Sequence, residues 1–536
     1  MSKFTTVLED IDPSGRQWLL LMEKKTIFLF PFWRYFETLY QNIYLNLNKI
    51  QHGITDRSLK LKIISHMELL VLELVKRVLS WEFNLSRRKK KINFEDFIVN
   101  ISSENQLCVL FKKYPVLYFL INRIVRNYNK YVAELINRLH TDLTELIDFF
   151  ELHGFILHSF ILKGDSHCLG ARVTEIIFHN SINNQIKKII YKPREITLEL
   201  KFNYLIKFIS FKNNKITLKP IMILSKSSYG WIEYIHYDYV DDLGANKYYF
   251  NYGALLGICY ILNAQDMHYE NIIARGTHPT VVDLECLCSP PITQKQYEDK
   301  NFPSIFDTLL IPFTKNKWDR EYDISALLNH SKQKTIVSKF EINGDFNEKI
   351  VIERKHLHIV PSKNYLINKF TMRPFNPYVF SKDLISGFYY LLQYVFNNKN
   401  DFIKLVIGEL SNIKCRIIFR PTFIYSKILI ESYHPVLLAD KNKYFEYLSQ
   451  LNKDGDDGIY RKIYDSEVFD LINGDIPYFS ASTSSVDIKN SQENKINHSC
   501  YDTGLERIVN KISMLDNQKI EKMAHMILVS LEEHYG

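Results

Sequence analysis

The stretch from 254 to 285, ALLGICYILNAQDMHYENIIARGTHPTVVDLE, constrains the fold more than any other part of this chain. ALLGICYIL (254 to 262) places apolar residues at helical spacing. A polar run follows in which Asp266, His268 and Asn271 crowd together, and TVV (280 to 282) then has the composition of a short strand that ends at Asp283. Asp, His and Asn are common turn residues, so the pattern Asp-x-His-x-x-Asn recurs by chance in ordinary loops. Its position between a buried helix and a short strand is what gives it weight.

A hydroxyl that attacks a nucleotide γ-phosphate needs a carboxylate to orient it and take its proton. It also needs an amide oxygen and a second carboxylate to hold magnesium over the phosphates. Asp266, Asn271 and Asp283 fit those roles in that order. The spacing from Asp266 to Asn271 equals that between the catalytic-loop Asp and Asn of protein kinases, and Asp283 follows at nearly the kinase distance. His268 brings the pattern nearer to the Asp-x-His-x-x-Asn arrangement of lipid kinases. Upstream, IIYK (189 to 192) is β-branched and aromatic, and Pro193 stops the pairing, so Lys192 is expected at a strand end. A kinase lysine that grips the α and β phosphates occupies such a place, although a lone strand lysine is more often simply solvated. Earlier still, Gly164-Asp165-Ser166-His167 with Gly170 precedes ARVTEIIF, which predicts a turn and a hairpin partner for the lysine strand.

Seven ordered blocks now resemble one family, the dehydratase domain of class II lanthipeptide synthetases of the LanM type. They are GDSH (164 to 167), YKPRE (191 to 195), YGWIE (229 to 233), DMHYENIIA (266 to 274), HPTVVDLE (278 to 285), RIIFRPT with Tyr425 (416 to 425) and GDIPYF (474 to 479). The resemblance implies an α+β, atypical lipid-kinase-like two-lobed catalytic fold with a helical N-terminal elaboration. It implies an enzyme that uses ATP and Mg2+ to phosphorylate Ser and Thr of a precursor peptide, then eliminates phosphate to leave dehydroalanine or dehydrobutyrine. By the same resemblance Asp266 meets the substrate hydroxyl with His268 beside it, Asn271 and Asp283 are the metal ligands, and Lys192 faces the phosphates. Asp165, His167 and Glu285 complete the nucleotide side, and Arg416 with Thr422 match the pair associated with phosphate elimination.

Elimination requires a base for the α proton of the phosphorylated residue and positive charge for the departing phosphate. Arg416 suits the second demand because its planar fork grips phosphate oxygens and keeps its proton. Thr422 follows Pro421, an ordinary place for a turn or capping residue. Asp266, His268 and Lys192 are each chemically able to act as the base, and the residues do not choose among them. A kinase without elimination activity is the alternative.

The chain has 536 residues, 46% hydrophobic and 14% aromatic, ample for a core. The motifs suggest a mostly helical region over 1–152, a kinase-like core over 153–480, and a flexible segment with a C-terminal helix over 481–536. Seven cysteines with no CxxC pair argue for reduced thiols and a cytoplasmic setting, with Cys286 and Cys288 expected to flank a buried strand. No secretory signal opens the chain. WLLLMEKKTIFLFPFW (18 to 33) is cut by Glu23, Lys24 and Lys25 and is expected to be buried helix or a partner surface rather than a membrane span. The net charge of +8 arises from 68 basic against 60 acidic residues, which does not call for a nucleic-acid partner. Arg87-Arg88-Lys89-Lys90-Lys91 is expected as a solvated loop closing a helix, or else as an attraction for an acidic peptide leader.

The region 290–375 is expected as elaborated loop with short strands, including KNKWDREYD and EINGDFNEK, and 480–500 as flexible loop. A typical class II synthetase continues into a zinc cyclase domain, and this sequence stops where that domain would start. The cyclase is then a separate chain, or the product is left dehydrated or changed by another tailoring enzyme, or the sequence is truncated.

Overall fold

The computed structural model describes residues 26–32, 57–89, 91–299, 303–313, 323–329, 333–345, 349–451, 458–497 and 499–536. It mixes helix and sheet, as expected for an α+β protein. Two long helices, Arg57–Lys89 and Pro115–Phe149, dominate the N-terminal side. The second has Pro115 at its first turn, where a missing N–H costs nothing. Of the apolar segment 18 to 33, residues 26–32 form a short 3-10 turn with Ile27, Phe28, Leu29 and Phe32 buried; the rest lies outside the described residues.

Five antiparallel strands follow: β1 (Ile156–His167), β2 (Ala171–His179), β3 (Ile186–Lys192), β4 (Ile223–Ser225) and β5 (Gly230–Glu233), in the order β1-β2-β3-β5-β4. Their inner face joins the long helices in one core that includes Phe83, Leu135, Ile176, Tyr191 and Trp231. The Trp231 indole N–H donates to buried Asp142 at 2.7 Å, which fixes the sheet to helix Pro115–Phe149. Lys192 ends β3, where the sequence placed it. The GDSH block differs from expectation. It forms the irregular end of β1, with a register shift between Lys163 and His167, and the turn itself is Cys168-Leu169-Gly170. Two non-glycine residues with positive φ, Cys168 (47°) and Leu169 (68°), make that turn tight enough to close the hairpin.

A second core surrounds helix Asp242–Ile261, with Tyr252, Leu256, Phe388, Ile463 and Ile527 buried in it. Asp241 caps this helix by accepting from the Gly244 N–H at 2.8 Å. The helix crosses Ser381–Asn397 with backbones in contact: a Cβ at Gly253 would strike the Leu384 carbonyl, and one at Gly387 the Phe250 carbonyl. Beyond it, the polar loop leads into β6 (Ile272–Arg275) and β7 (His278–Val281), a two-stranded hairpin.

Between 290 and 375 the chain builds a long hairpin, β8 (Gln333–Asp345) with β9 (Lys349–Ile359), rather than short strands. The hairpin lies over helix Arg57–Lys89, where Lys76 donates to Phe340 O (2.6 Å) and Asn84 to Ile350 O (2.7 Å). Residues 314–322, most of KNKWDREYD, and 346–348 within EINGDFNEK lie outside the described residues.

A four-stranded sheet of β10 (Lys414–Ile417), β11 (Phe479–Ser482), β12 (Ile488–Lys489) and β13 (Lys495–Ile496) corrects the expected flexible segment over 480–500. Its polar side chains are bonded inward. Thr483 Oγ1 donates to Leu410 O at 2.5 Å, and Asn490 to Ser466 Oγ at 2.9 Å. The expected boundary at 480 therefore falls inside β11. Two helices, Gly504–Ser513 and Asn517–Tyr535, close the chain in place of one.

Cys286 and Cys288 are buried in an irregular loop that lies beside β10, with Cys415 Sγ 3.9 Å from Cys288 O, and all seven cysteines are free. Arg87, Arg88 and Lys89 form the last turn of helix Arg57–Lys89, where cations face the helix C-terminal dipole, and Lys90 lies outside the described residues. No helix among the described residues is long and apolar enough to cross a membrane.

Candidate active site

Helix Asp242–Ile261 sets the catalytic-type loop in place, and backbone bonds hold it there. Cys288 N–H donates to Leu262 O (2.8 Å), Gln265 N–H to Cys286 O (3.0 Å) and Met267 N–H to Thr308 O (3.0 Å). Val282 N–H donates to Asn271 O at 2.9 Å, so the end of the loop and the segment carrying Asp283 are adjacent. Asp266 has φ 64°, a left-handed conformation that costs a non-glycine residue roughly 1–3 kcal/mol and gathers at functional sites. The Asn271 amide N–H donates to Asp266 O at 2.7 Å. Among the described residues nothing donates to its amide oxygen.

Strand β3 delivers Lys192 into the same place. Its ammonium, almost wholly buried, meets Asp283 Oδ1 at 2.9 Å, Val282 O at 2.9 Å and Glu199 Oε1 at 3.3 Å. Arg194 reinforces the pair: its guanidinium reaches Glu199 Oε1 and Asp283 Oδ1, each at 2.7 Å, and Glu285 Oε2 at 2.8 Å. Arg416, from β10, closes the ring on Glu285 Oε1 at 2.6 Å, and its backbone N–H donates to Glu285 O at 2.7 Å. Lys192, Asp283 with Glu285, and Arg416 come from three blocks far apart in the sequence and form one charge network.

The network tunes its members. Burial alone would raise the Asp283 carboxyl, but Lys192 and Arg194 outweigh it and hold Asp283 well below the usual carboxylate range. Glu285 is likewise held down against burial by Arg194 and Arg416. Asp266 shifts the other way. Removal from bulk water raises its carboxyl, with Asp283 and Glu285 adding repulsion against the pull of His268 and Arg416. A carboxylate displaced upward next to one displaced downward is the division of labour that proton transfer and cation binding require.

His268 Nε2 lies 3.8 Å from Asp266 Oδ1, close enough to orient it. His167 Nδ1–H donates to Ile476 O (2.8 Å), and the ring packs edge-on against Tyr478. Burial, helped by Arg416, brings its pKa down to about 4, so the ring is neutral near pH 7. Asp165 is exposed, just before the anchored Ser166. Thr422 begins helix Thr422–Ser432, and among the described residues no hydrogen bond joins it to the network. Tyr425, from the same block, belongs to a separate buried group in which it donates to Glu467 Oε1 (2.6 Å) beside Arg420 (2.8 Å).

The donor set fits a divalent cation shared with phosphate. Both cations on Asp283 converge on Oδ1, which leaves Oδ2, and Asn271 offers its amide oxygen. Magnesium is commonly held by one or two carboxylates plus substrate phosphates rather than by a protein cage. Among the described residues no three His, Cys, Asp or Glu side chains cluster as such a cage. The Arg416 Nε–H is buried without a hydrogen-bond partner, a donor suited to a phosphate oxygen.

Residues 114–482 match a family described as a domain of unknown function, DUF4135, and the match covers more than half of the chain. The chain belongs to this family. It is also 28% identical over 400 residues to the lacticin 481/lactococcin biosynthesis protein LcnDR2 of Lactococcus lactis subsp. lactis. That alignment takes in 70% of this chain and 42% of the relative, so the chain spans less than half the length of the curated protein it matches. The two findings bear out the LanM-type resemblance. Within this DUF4135 chain, sequence reasoning missed Arg194, Glu199, Asp475 and Tyr478 as parts of the site. Arg194 lay in a quoted block, YKPRE, and Asp475 and Tyr478 in another, GDIPYF. Nothing in those blocks says that Asp475 would accept from Ser166 Oγ (2.5 Å), Leu169 N (2.6 Å) and Gly170 N (3.2 Å) and so hold the β1–β2 turn.

Proposed function

We propose that the chain is a dehydratase of lanthipeptide (lantibiotic) biosynthesis, acting on Ser and Thr of a precursor peptide by ATP-dependent phosphorylation and then phosphate elimination. The observation that carries this reading is the single network of Lys192, Arg194, Asp283, Glu285 and Arg416 beside the Asp266 loop. The similarity to LcnDR2 supports the pathway. On this reading the five-stranded sheet and the helix-rich part around Asp242–Ile261 are the two lobes of a lipid-kinase-like fold.

In the first step Asp266 orients the substrate hydroxyl and accepts its proton as the oxygen bonds to the γ-phosphorus and ADP leaves. Lys192 faces the α and β phosphates, with Asp165, His167 and Glu285 on the nucleotide side. Asn271 and Asp283 would hold magnesium, which would offset phosphate charge. In the second step a base takes the α proton, the Cβ–O bond breaks toward phosphate, and the electron pair of the C–H bond becomes the new double bond. Arg416 stabilises the leaving phosphate, and Thr422 is its partner in the family pattern. The base is one of Asp266, His268 and Lys192. The partner is the leader-bearing precursor, in the cytoplasm.

The second reading is a kinase that stops after phosphorylation, favoured by the lack, among the described residues, of any hydrogen bond from Thr422 to the network. Intact-mass analysis of a precursor incubated with the protein, ATP and magnesium separates the two. Loss of one water per site supports the dehydratase. Gain of phosphate that is never lost supports the kinase. Arg416→Ala is expected to accumulate phosphopeptide, and Asp283→Asn to stop both steps. Normal dehydration by either variant, with melting behaviour like wild type, contradicts the assignment.

A further inference from the structure

Beside the β1–β2 turn lies a cavity of about 610 Å3 lined by helices Arg57–Lys89 and Pro115–Phe149 and by the β8–β9 hairpin. Its walls are largely apolar, through Leu70, Ile124, Leu162 and Ile342, and three arginines line it: Arg77, Arg123 and Arg172. Arg77 (7% exposed) and Arg123 (3% exposed) are buried.

Among the described residues none of the three pairs with a carboxylate. Arg77 donates to Ile430 O at 2.8 Å, Arg172 to Gly164 O at 2.9 Å, and Arg123 to Ile472 O. The acids of the cavity are already committed. Glu73 binds Lys76 (2.5 Å), Glu341 binds Lys339 (2.8 Å) and Lys355 (2.7 Å), and Asp475 holds Ser166, Leu169 and Gly170. Burial brings the Arg77 pKa down to about 10 against the attraction of Glu431, the sign of a cation short of counter-charge. Buried cations are expensive unless an anion meets them, and guanidinium forks suit carboxylates.

We propose that this cavity binds a peptide segment that places a carboxylate between apolar side chains, the carboxylate on Arg77, Arg123 and Arg172 and the flanking side chains on the apolar wall. A bare inorganic anion satisfies the arginines but leaves those walls unfilled. The cavity also contains Ser166, Gly170 and Asp475, which hold the turn next to Asp165 and His167. An occupant therefore touches the support of the nucleotide-side residues without entering their site. The inference concerns binding alone and stands apart from the chemistry proposed above.

The test uses the full chain and a fluorophore-labelled peptide, acetyl-Leu-Glu-Leu-Leu-amide, with its Glu-to-Gln counterpart, read by fluorescence anisotropy. The Glu peptide is expected to bind at least about tenfold more tightly than the Gln peptide, and Arg123→Gln and Arg172→Gln each to weaken it about tenfold. Leu69, 59% exposed and part of the cavity lining, provides a variant that does not disturb the core: Leu69→Glu is expected to weaken the Glu peptide by repulsion. Asp266→Asn is expected to leave affinity unchanged, which separates this site from the active site. Equal binding of the two peptides, binding of neither, or full affinity in both Arg172→Gln and Leu69→Glu overturns the proposal. So does inorganic phosphate that binds at these arginines while the Glu peptide does not.

Discussion

Arg194 meets three carboxylates, Glu199, Asp283 and Glu285, at 2.7 to 2.8 Å, with Glu199 fully buried. Arg194→Gln leaves Glu199 and Asp283 to Lys192 and Glu285 to Arg416, so a loss of roughly 1.5–3 kcal/mol is expected in urea unfolding. Lys414→Gln, which breaks a surface pair with Glu493, should cost about 0–1 kcal/mol in the same assay. Asp470 gives a pH signature. It is 2% exposed, and burial raises its carboxyl to about 7 against hydrogen bonds from Ser491 and the Tyr478 N–H. Its folded pKa lies above its unfolded value, so its contribution is complete below the ordinary carboxylate range and is lost as pH rises through about 7. Thermal melts of Asp470→Asn are expected to lose that decline. His167 works in the opposite sense: its pKa is lowered to about 4, so stability falls as pH drops from the usual imidazole range toward that value. The strand end at Lys192 was legible in the sequence because its pattern is local, whereas Asp283 follows two residues after β7 rather than ending it. Arg194 was not, because its role depends on where three other chain segments bring their acids.

Helix Asp242–Ile261 carries the loop that begins at its C-terminus, and its position is fixed by the glycine crossing with Ser381–Asn397. Gly253→Ala or Gly387→Ala drives a methyl into a backbone carbonyl of the partner helix. A loss of about 1–3 kcal/mol is expected in thermal unfolding, with a loss of activity as the loop shifts. Gly408, inside helix Lys399–Leu410 with nothing within 4 Å of an added Cβ, is the counterpart: Gly408→Ala should stabilise by about 0.4–1 kcal/mol. The first helix was legible from ALLGICYIL because helical apolar spacing is a local signal. Hairpin β8–β9 was legible only as short strands: Lys339-Phe340-Glu341-Ile342 alternates polar and apolar residues, but Glu353-Arg354-Lys355-His356 does not, and the pairing of the two is not written in either. The 480–500 segment misled for a related reason. Its polar side chains spend their hydrogen bonds on distant partners such as Leu410 O and Ser466, which composition does not reveal.

Asp475 joins parts of the molecule some three hundred residues apart, from the β1–β2 turn to the block before β11. Asp475→Ala is expected to abolish the slow hydrogen exchange of the Leu169 and Gly170 amides while most of the core keeps its protection. Two large apolar cores meet across such ties. One unites the long N-terminal helices with the five-stranded sheet, and the other surrounds helix Asp242–Ile261. The sequence by itself determined the mixed helix and sheet, the strand that ends at Lys192, the loop from Asp266 to Asn271, and the LanM-type resemblance, because these rest on local spacing and short ordered blocks. Only the tertiary structure decided that Arg194 bridges Lys192's partners, that Arg416 meets Glu285, and that three arginines face a cavity whose acids are bonded to other groups. Those outcomes depend on long-range approach and on burial, where a charge's cost is set by what the fold brings beside it.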